Sequence, residues 1–171
     1  MGDGVDAGQI ATLIEGGTGS QSELEAQPEF LPDKFESGTP NLSGIAGLHA
    51  GLSWVMERGI GAIRRHEEEL TQALLEGLAD IPGITVYGPR NPKKSVAIVS
   101  FTAQGKRVSE LGLRLDEEYE VLTRVGLHCA PTAHKTIGSF PEGTVRLAPG
   151  VVTTLKDISY TIQAIREIVH D

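Results

Sequence analysis

A single cysteine in 171 residues leaves this chain no internal disulfide, so nothing covalent ties its loops and a reducing compartment is expected. Basic residues are also scarce. Fifteen Lys and Arg stand against 23 Asp and Glu, a formal charge of −8, and no Lys/Arg block occurs anywhere along the chain. Phosphate backbones and anionic bilayers both require a basic face, so neither nucleic acid nor a membrane is an expected partner. Two more patterns are missing. No apolar run is long enough to span a bilayer, and the N-terminus lacks the basic-then-apolar character of a signal peptide. The cytoplasm is the expected compartment. The phosphate-loop pattern GxxxxGK[ST] is absent as well, which disfavours a nucleotide loop.

What remains is ordinary globular material. With 39% hydrophobic and 22% charged residues the chain can bury a core, and its length suits one domain or a core domain carrying an arm. Residues 1–41 form the arm. They contain "EGGTGSQSELEAQPEFLPDKFESGTPN", dense in Gly, Ser, Pro and Glu and without a sustained period. From Leu42 apolar residues recur at helical spacing, with Ser43 as the expected N-cap, Pro82-Gly83 as the stop, and Gly59 and Gly61 marking a break or bend. "ITVYG" and "SVAIVSFTA" read as strands around a turn at residues 89–94. "VSELGLRLDEEY" returns to helical spacing, "VLTRVG" and "TVRLAPG" read as further strands, and "TLKDISYTIQAIREIVH" is an amphipathic helix capped by Thr154 with Asp157 in its first turn. The expectation is an α+β fold, mainly antiparallel sheet with helices packed on one face.

The stretch "RVGLHCAPTAHKTIGSF", residues 124–140, holds Cys129 with His128 beside it and His134 five positions on. Its predicted place is a Pro/His/Gly-containing loop after a strand, where partial exposure is expected. Three roles stay open for the thiol. It is a nucleophile if His128, His134 or Lys135 raises its thiolate fraction. It is a small apolar filler if nothing does. As a zinc ligand it lacks a visible fourth partner, the other histidines being His49, His66 and His170, and no metal is expected. "GGTGS", Gly16 to Ser20, either cradles an anion or is a flexible turn. "ESGTPN" leads into a helix, where Thr39 caps or offers a hydroxyl to a phosphate. Arg146, in a predicted strand, is a surface charge or a bidentate carboxylate binder. "RRHEEE" is the solvated face of a helix.

Together "GGTGSQSE", "PDKFESGTPN", "GLHCAPTAHKTIG" and "GTVRLAPG" resemble, in order and approximate spacing, the C-terminal part of cysteine desulfurase and selenocysteine lyase-like proteins, members of aminotransferase class V and of the pyridoxal-phosphate-dependent fold type I enzymes. The resemblance implies that residues 1–41 are a loop-rich strip of the large cofactor domain and that residues 42–171 are the small α+β domain with its linking helix. It implies Cys129 as the nucleophile that takes sulfur from the substrate as a persulfide, releasing alanine. Arg146 becomes the clamp on the substrate carboxylate. Thr39 becomes the group lent to the cofactor phosphate of the neighbouring subunit of a homodimer, with the GGTGS loop close to it. His128 and His134 are left with tuning the thiol. The implied cofactor is pyridoxal phosphate in the full-length family, the implied partners cysteine or selenocysteine and a sulfur-acceptor protein.

Two departures accompany the resemblance. The family's Schiff-base lysine lies upstream of GGTGS, and Lys34 and Lys135 do not match its position, so no cofactor is expected on this chain alone and it is expected to be inactive by itself. Thr153 also stands where family members commonly have asparagine. Two other readings remain: an aminotransferase or another lyase of the same fold in which Cys129 is incidental, and a non-catalytic sulfur-accepting or dimerising module.

Overall fold

The computed structural model describes residues 4, 6–17, 19–21, 23 and 25–171. The chain packs as two compact units, Met1–Glu57 and Arg58–Asp171.

In the first unit the arm is held by polar cross-ties in place of a core. The Gln27 side chain accepts from the Gly16 N–H at 2.8 Å and donates to the Asp33 carbonyl at 2.8 Å. Ser37 donates to the Ile14 carbonyl at 2.7 Å. Lys34, on a single helical turn spanning Asp33–Phe35, is buried; its Nζ donates to the Gly8 carbonyl at 2.9 Å and pairs with Glu29 at 2.8 Å. The arm ends in helix α1, Leu42–Arg58, none of whose residues is buried. Its cap is Asn41 and not Ser43: the Asn41 Oδ1 accepts the Gly44 N–H at 3.0 Å, while the Asn41 carbonyl takes the first helical bond from Ile45. A short amide directly before the helix reaches the free N–H groups of the first turn, whereas Ser43 already lies inside it.

The second unit carries helix α2, Ile60–Ala79, strand β1, Ile84–Tyr87, strand β2, Val99–Ala103, helix α3, Val108–Tyr119, strand β3, Arg124–Gly126, helix α4, Pro131–Ile137, strand β4, Thr144–Leu147, and helix α5, Leu155–His170. The break before α2 falls on Gly59, whose φ of 81° a side chain would resist. All strand pairings are antiparallel, in the order β1-β2-β4-β3. Burial alternates along β2, so that Val99, Phe101 and Ala103 face the helices while Ser100 and Thr102 face away. Leu70, Leu74 and Leu78 of α2, Leu111 and Leu115 of α3, and Ile158, Ile165 and Ile168 of α5 meet that face with Val145 and Leu147 of β4. The α+β sheet with helices on one face is therefore observed.

β2 and β3 are shorter than their apolar runs. β4 ends at Leu147, which already pairs with Val99, so residues before 99 have no β4 residue to join; β3 starts at Arg124, opposite Arg146.

Helix α5 starts as expected. Thr154 accepts from the Asp157 N–H, and the Asp157 carboxylate accepts from both the N–H and the hydroxyl of Thr154, at 2.8 Å each. These bonds, the backbone one foremost, hold the Asp157 pKa below its usual value. A depressed carboxylate contributes stability above its unfolded value and loses it as the pH falls through the folded one. Thr154→Ala is expected to cost about 1 kcal/mol in chemical denaturation at neutral pH. For Asp157→Asn, the difference from the native chain should narrow in melts run down through the carboxylate range.

Candidate functional site

Cys129, His128, His134 and Arg146 lie in the second unit and Thr39 in the first. Thr39 is exposed, in the turn that precedes α1. Its neighbour Gly38 meets the other glycine loop: a Cβ on Gly17 would stand 3.5 Å from the Gly38 backbone. Thr18 of GGTGS lies outside the described residues.

Around the thiol, the end of β3 turns sharply into α4. His128 and Cys129 both adopt left-handed backbone, φ 51° and 61°. Two consecutive non-glycine residues in that region cost about 1–2 kcal/mol each, so the surroundings must hold them. Beyond this turn the chain forms the helix α4, where the sequence reading expects a loop. Pro131 occupies its first turn and Gly138, φ 76°, ends it, a pairing that signals a helix in retrospect but encloses only seven residues of mixed polarity.

The thiol is exposed. The cation that reaches it comes from neither histidine: Arg124 Nη2 lies 3.5 Å from Cys129 Sγ, a weakly bonded contact between a guanidinium and the sulfur. No sequence motif points to Arg124. It stands directly opposite Arg146 in the β3–β4 ladder, and directly opposed side chains point to one face, their Cβ atoms about 5 Å apart. The Arg146 Nε is buried and has no hydrogen-bond partner among the described residues. Two guanidinium-bearing residues thus share one patch of sheet near the sulfur, one of them with an unsatisfied donor.

The histidines serve differently from one another. His134 is buried and its Nδ1 bonds the Ser139 hydroxyl at 2.7 Å. His128 places Nε2 3.0 Å from the hydroxyl of Thr144, which is fully buried, and its own Nδ1 is buried without a hydrogen-bond partner among the described residues. The two rings stand 5.4 Å apart. Burial foremost, then Arg146, His134 and Arg124, hold the His128 pKa below that of a free imidazole. His128 is thus neutral beside Cys129 at neutral pH, and the charge next to the sulfur is Arg124.

Behind this patch, β3 and β4 are drawn together at Gly143, where an added Cβ would fall 2.1 Å from the carbonyl of Gly126. Thr153, in the asparagine position, closes its own turn, its Oγ1 accepting the Gly150 N–H at 3.0 Å while its carbonyl meets His66 Nε2 at 2.9 Å. No group of three or more His, Cys, Asp or Glu able to hold a metal occurs among the described residues, and no helix among them is long and apolar enough to cross a membrane.

Of the six lysines, Lys34 is committed to Glu29 and the Gly8 carbonyl, Lys135 lies 5.1 Å above the Phe140 ring, Lys106 is half-buried, and Lys93, Lys94 and Lys156 are exposed.

Residues 8–160 match the family Aminotransferase class-V. A probable cysteine desulfurase of Pyrococcus abyssi is 34% identical over 161 residues, 92% of this chain and 38% of the relative. A probable cysteine desulfurase 2 of Mycobacterium leprae is 32% identical over 134 residues, 78% of this chain and 31% of the relative. Among solved structures, the apo cysteine desulfurase of Thermococcus onnurineus NA1 superposes with a TM-score of 0.74 at 35% identity, over 81% of this chain and 34% of the other. The cysteine desulfurase CsdA (S-sulfonic acid) of Escherichia coli does so with a TM-score of 0.70 at 26% identity, over 81% and 33%. The chain therefore spans well under half the length of the proteins it resembles.

Proposed function

The chain belongs to the aminotransferase class V family, and on that premise we propose that the unit Arg58–Asp171 carries the thiol and carboxylate-binding half of a cysteine desulfurase-like site. The observation that carries the reading is the meeting of an exposed thiol and two opposed arginines at one end of the sheet, with Arg124 3.5 Å from Cys129 Sγ. Arg146 takes the carboxylate of cysteine or selenocysteine through its unsatisfied donor. Arg124 faces Cys129, whose sulfur, as the thiolate, attacks the substrate sulfur. An S–S bond forms and the substrate C–S bond breaks; its electron pair stays on carbon, which is protonated to the methyl group of alanine, and Cys129 is left as a persulfide for a sulfur-acceptor protein. In the longer members of the family, pyridoxal phosphate supplies the electron sink for that carbon. We read Thr39 as a phosphate contact made in trans in a homodimer, supported by its exposed turn before α1. Without the lysine that holds the cofactor, this chain alone is not expected to turn over.

The test joins this chain to the upstream part of the Pyrococcus abyssi relative, supplies cofactor and L-cysteine, and follows alanine together with the mass of the Cys129 peptide. Equal alanine production with one added sulfur on Cys129 under single turnover is the expected result, and Cys129→Ala should abolish both, a loss of at least a hundredfold. Full turnover by Cys129→Ala would establish instead an aminotransferase or lyase in which the thiol is incidental. A chain that accepts sulfur from a persulfide donor yet supports no turnover would be a sulfur-carrying module.

A further inference from the structure

We infer that Thr144 is a positioning residue for Cys129: through the His128 ring it holds the left-handed pair His128-Cys129 and so sets the sulfur against Arg124. Three observations lead there. The two residues before α4 occupy backbone that their side chains disfavour, φ 51° and 61°, and such a turn persists only where neighbours fix it. The fixing side-chain bond runs from His128 Nε2 to Thr144 Oγ1 at 3.0 Å. Thr144 can act as an anchor because it is fully buried on β4, two residues before Arg146 and opposite Gly126 at the end of β3. One hydroxyl on the central part of the sheet therefore registers the thiol-bearing turn against the same strand that carries the carboxylate clamp.

The backbone bonds of the turn do not replace this anchor. The Ala130 N–H donates to the Leu127 carbonyl at 2.8 Å and the His134 N–H to the Ala130 carbonyl at 3.2 Å; both lie within the turn and α4 and tie neither to β4. The charged and titratable groups facing His128 are Arg124 from β3, Arg146 from β4 and His134 from α4. All three repel a protonated ring, so the anchor operates with neutral imidazole.

The inference rests on Cys129 being the reacting thiol of the proposed function, but its test reads the thiol and not turnover. Cys129 in the chain as it stands is alkylated at neutral pH with iodoacetamide, which is neutral, and with iodoacetate, which is anionic, and the ratio of the two rate constants is taken. A guanidinium held beside the sulfur raises the iodoacetate rate by about fivefold, the effect of one unit charge roughly 4 Å away in water. Thr144→Val, which keeps shape and deletes the hydroxyl, should bring the ratio down by about that factor, and Thr144→Ser should restore it. Arg124→Gln should lower it equally, with no further fall in the double variant, as coupled partners require. If Thr144→Val does not fold, His128→Asn gives the same reading, since asparagine tolerates left-handed backbone but has no ring to reach β4. A ratio unchanged in Thr144→Val or His128→Asn, even with both absolute rates altered, would overturn the inference. It would leave the desulfurase reading intact, because that reading depends on the persulfide and on Cys129→Ala.

Discussion

Gly143→Ala should destabilise the second unit by about 3 kcal/mol or more and detach the arginine from the thiol in the same stroke. Two costs combine at this residue. Its φ is 82°, where an alanine is strained, and the new Cβ would fall 2.1 Å from the carbonyl carbon and oxygen of Gly126, a backbone that has no flexible side chain to swing aside. Relief requires β3 to move off β4 between Gly126 and Thr144, which also opens the Arg124↔Arg146 pairing two residues along the ladder. Gly88→Ala is the matched control, with φ 94° and nothing within 4 Å of the added Cβ; it carries the backbone strain alone, about 1 kcal/mol. Urea titrations of the two variants separate the contributions, since an equal shift in midpoint at unchanged slope would mean that the close approach of β3 and β4 contributes nothing.

Phe101→Ala is expected to cost about 3–5 kcal/mol, a large share of the roughly 5–15 kcal/mol that holds a typical domain together. Phe101 is fully buried on β2, paired with Val86 on one side and Val145 on the other. Its ring fills the middle of the layer between sheet and helices, and the rigid strands on either side cannot collapse into the cavity it leaves. Thermal unfolding followed by circular dichroism should show Tm lower by about 10–20 °C. Leu122→Ala, at a residue 81% exposed, should stay within about 0.5 kcal/mol of the native chain. Comparable losses for the two would mean that the helix-facing side of β2 is not the centre of the core.

Most of the second unit's architecture is legible in the sequence, because its helices and strands carry long, clean periods. The run from Val108 to Tyr119 and the Thr154–Asp157 capping box are local signals, complete within a short stretch of chain. The misses share a different cause. α4 is too short for a period to rise above its polar composition, and the start of β2 depends on how far β4 extends, which no residue of β2 encodes. The site divides the same way. Cys129 and Arg146 announce themselves by residue type within motifs, whereas Arg124 and Thr144 gain meaning only from register: Arg124 from lying opposite Arg146, Thr144 from lying under the ring of His128. A β-ladder joins residues far apart in the chain with no trace in the spacing of either strand. The histidines show the reverse error, since proximity in sequence suggests two cations for the thiol, and burial leaves His128 neutral and His134 bonded to Ser139.

The facing pair Arg124 and Arg146 has a further thermodynamic meaning. Like charges directly opposite on neighbouring strands oppose pairing, so β3 joins β4 against their repulsion whenever no anion lies between them. An anion bound there would relieve that repulsion, and by mass action the native state would gain as the anion concentration rises past its dissociation constant. The edge of the sheet and any anion it binds would thereby be linked equilibria: occupancy would tighten the strand that carries Arg124, and release would loosen it again.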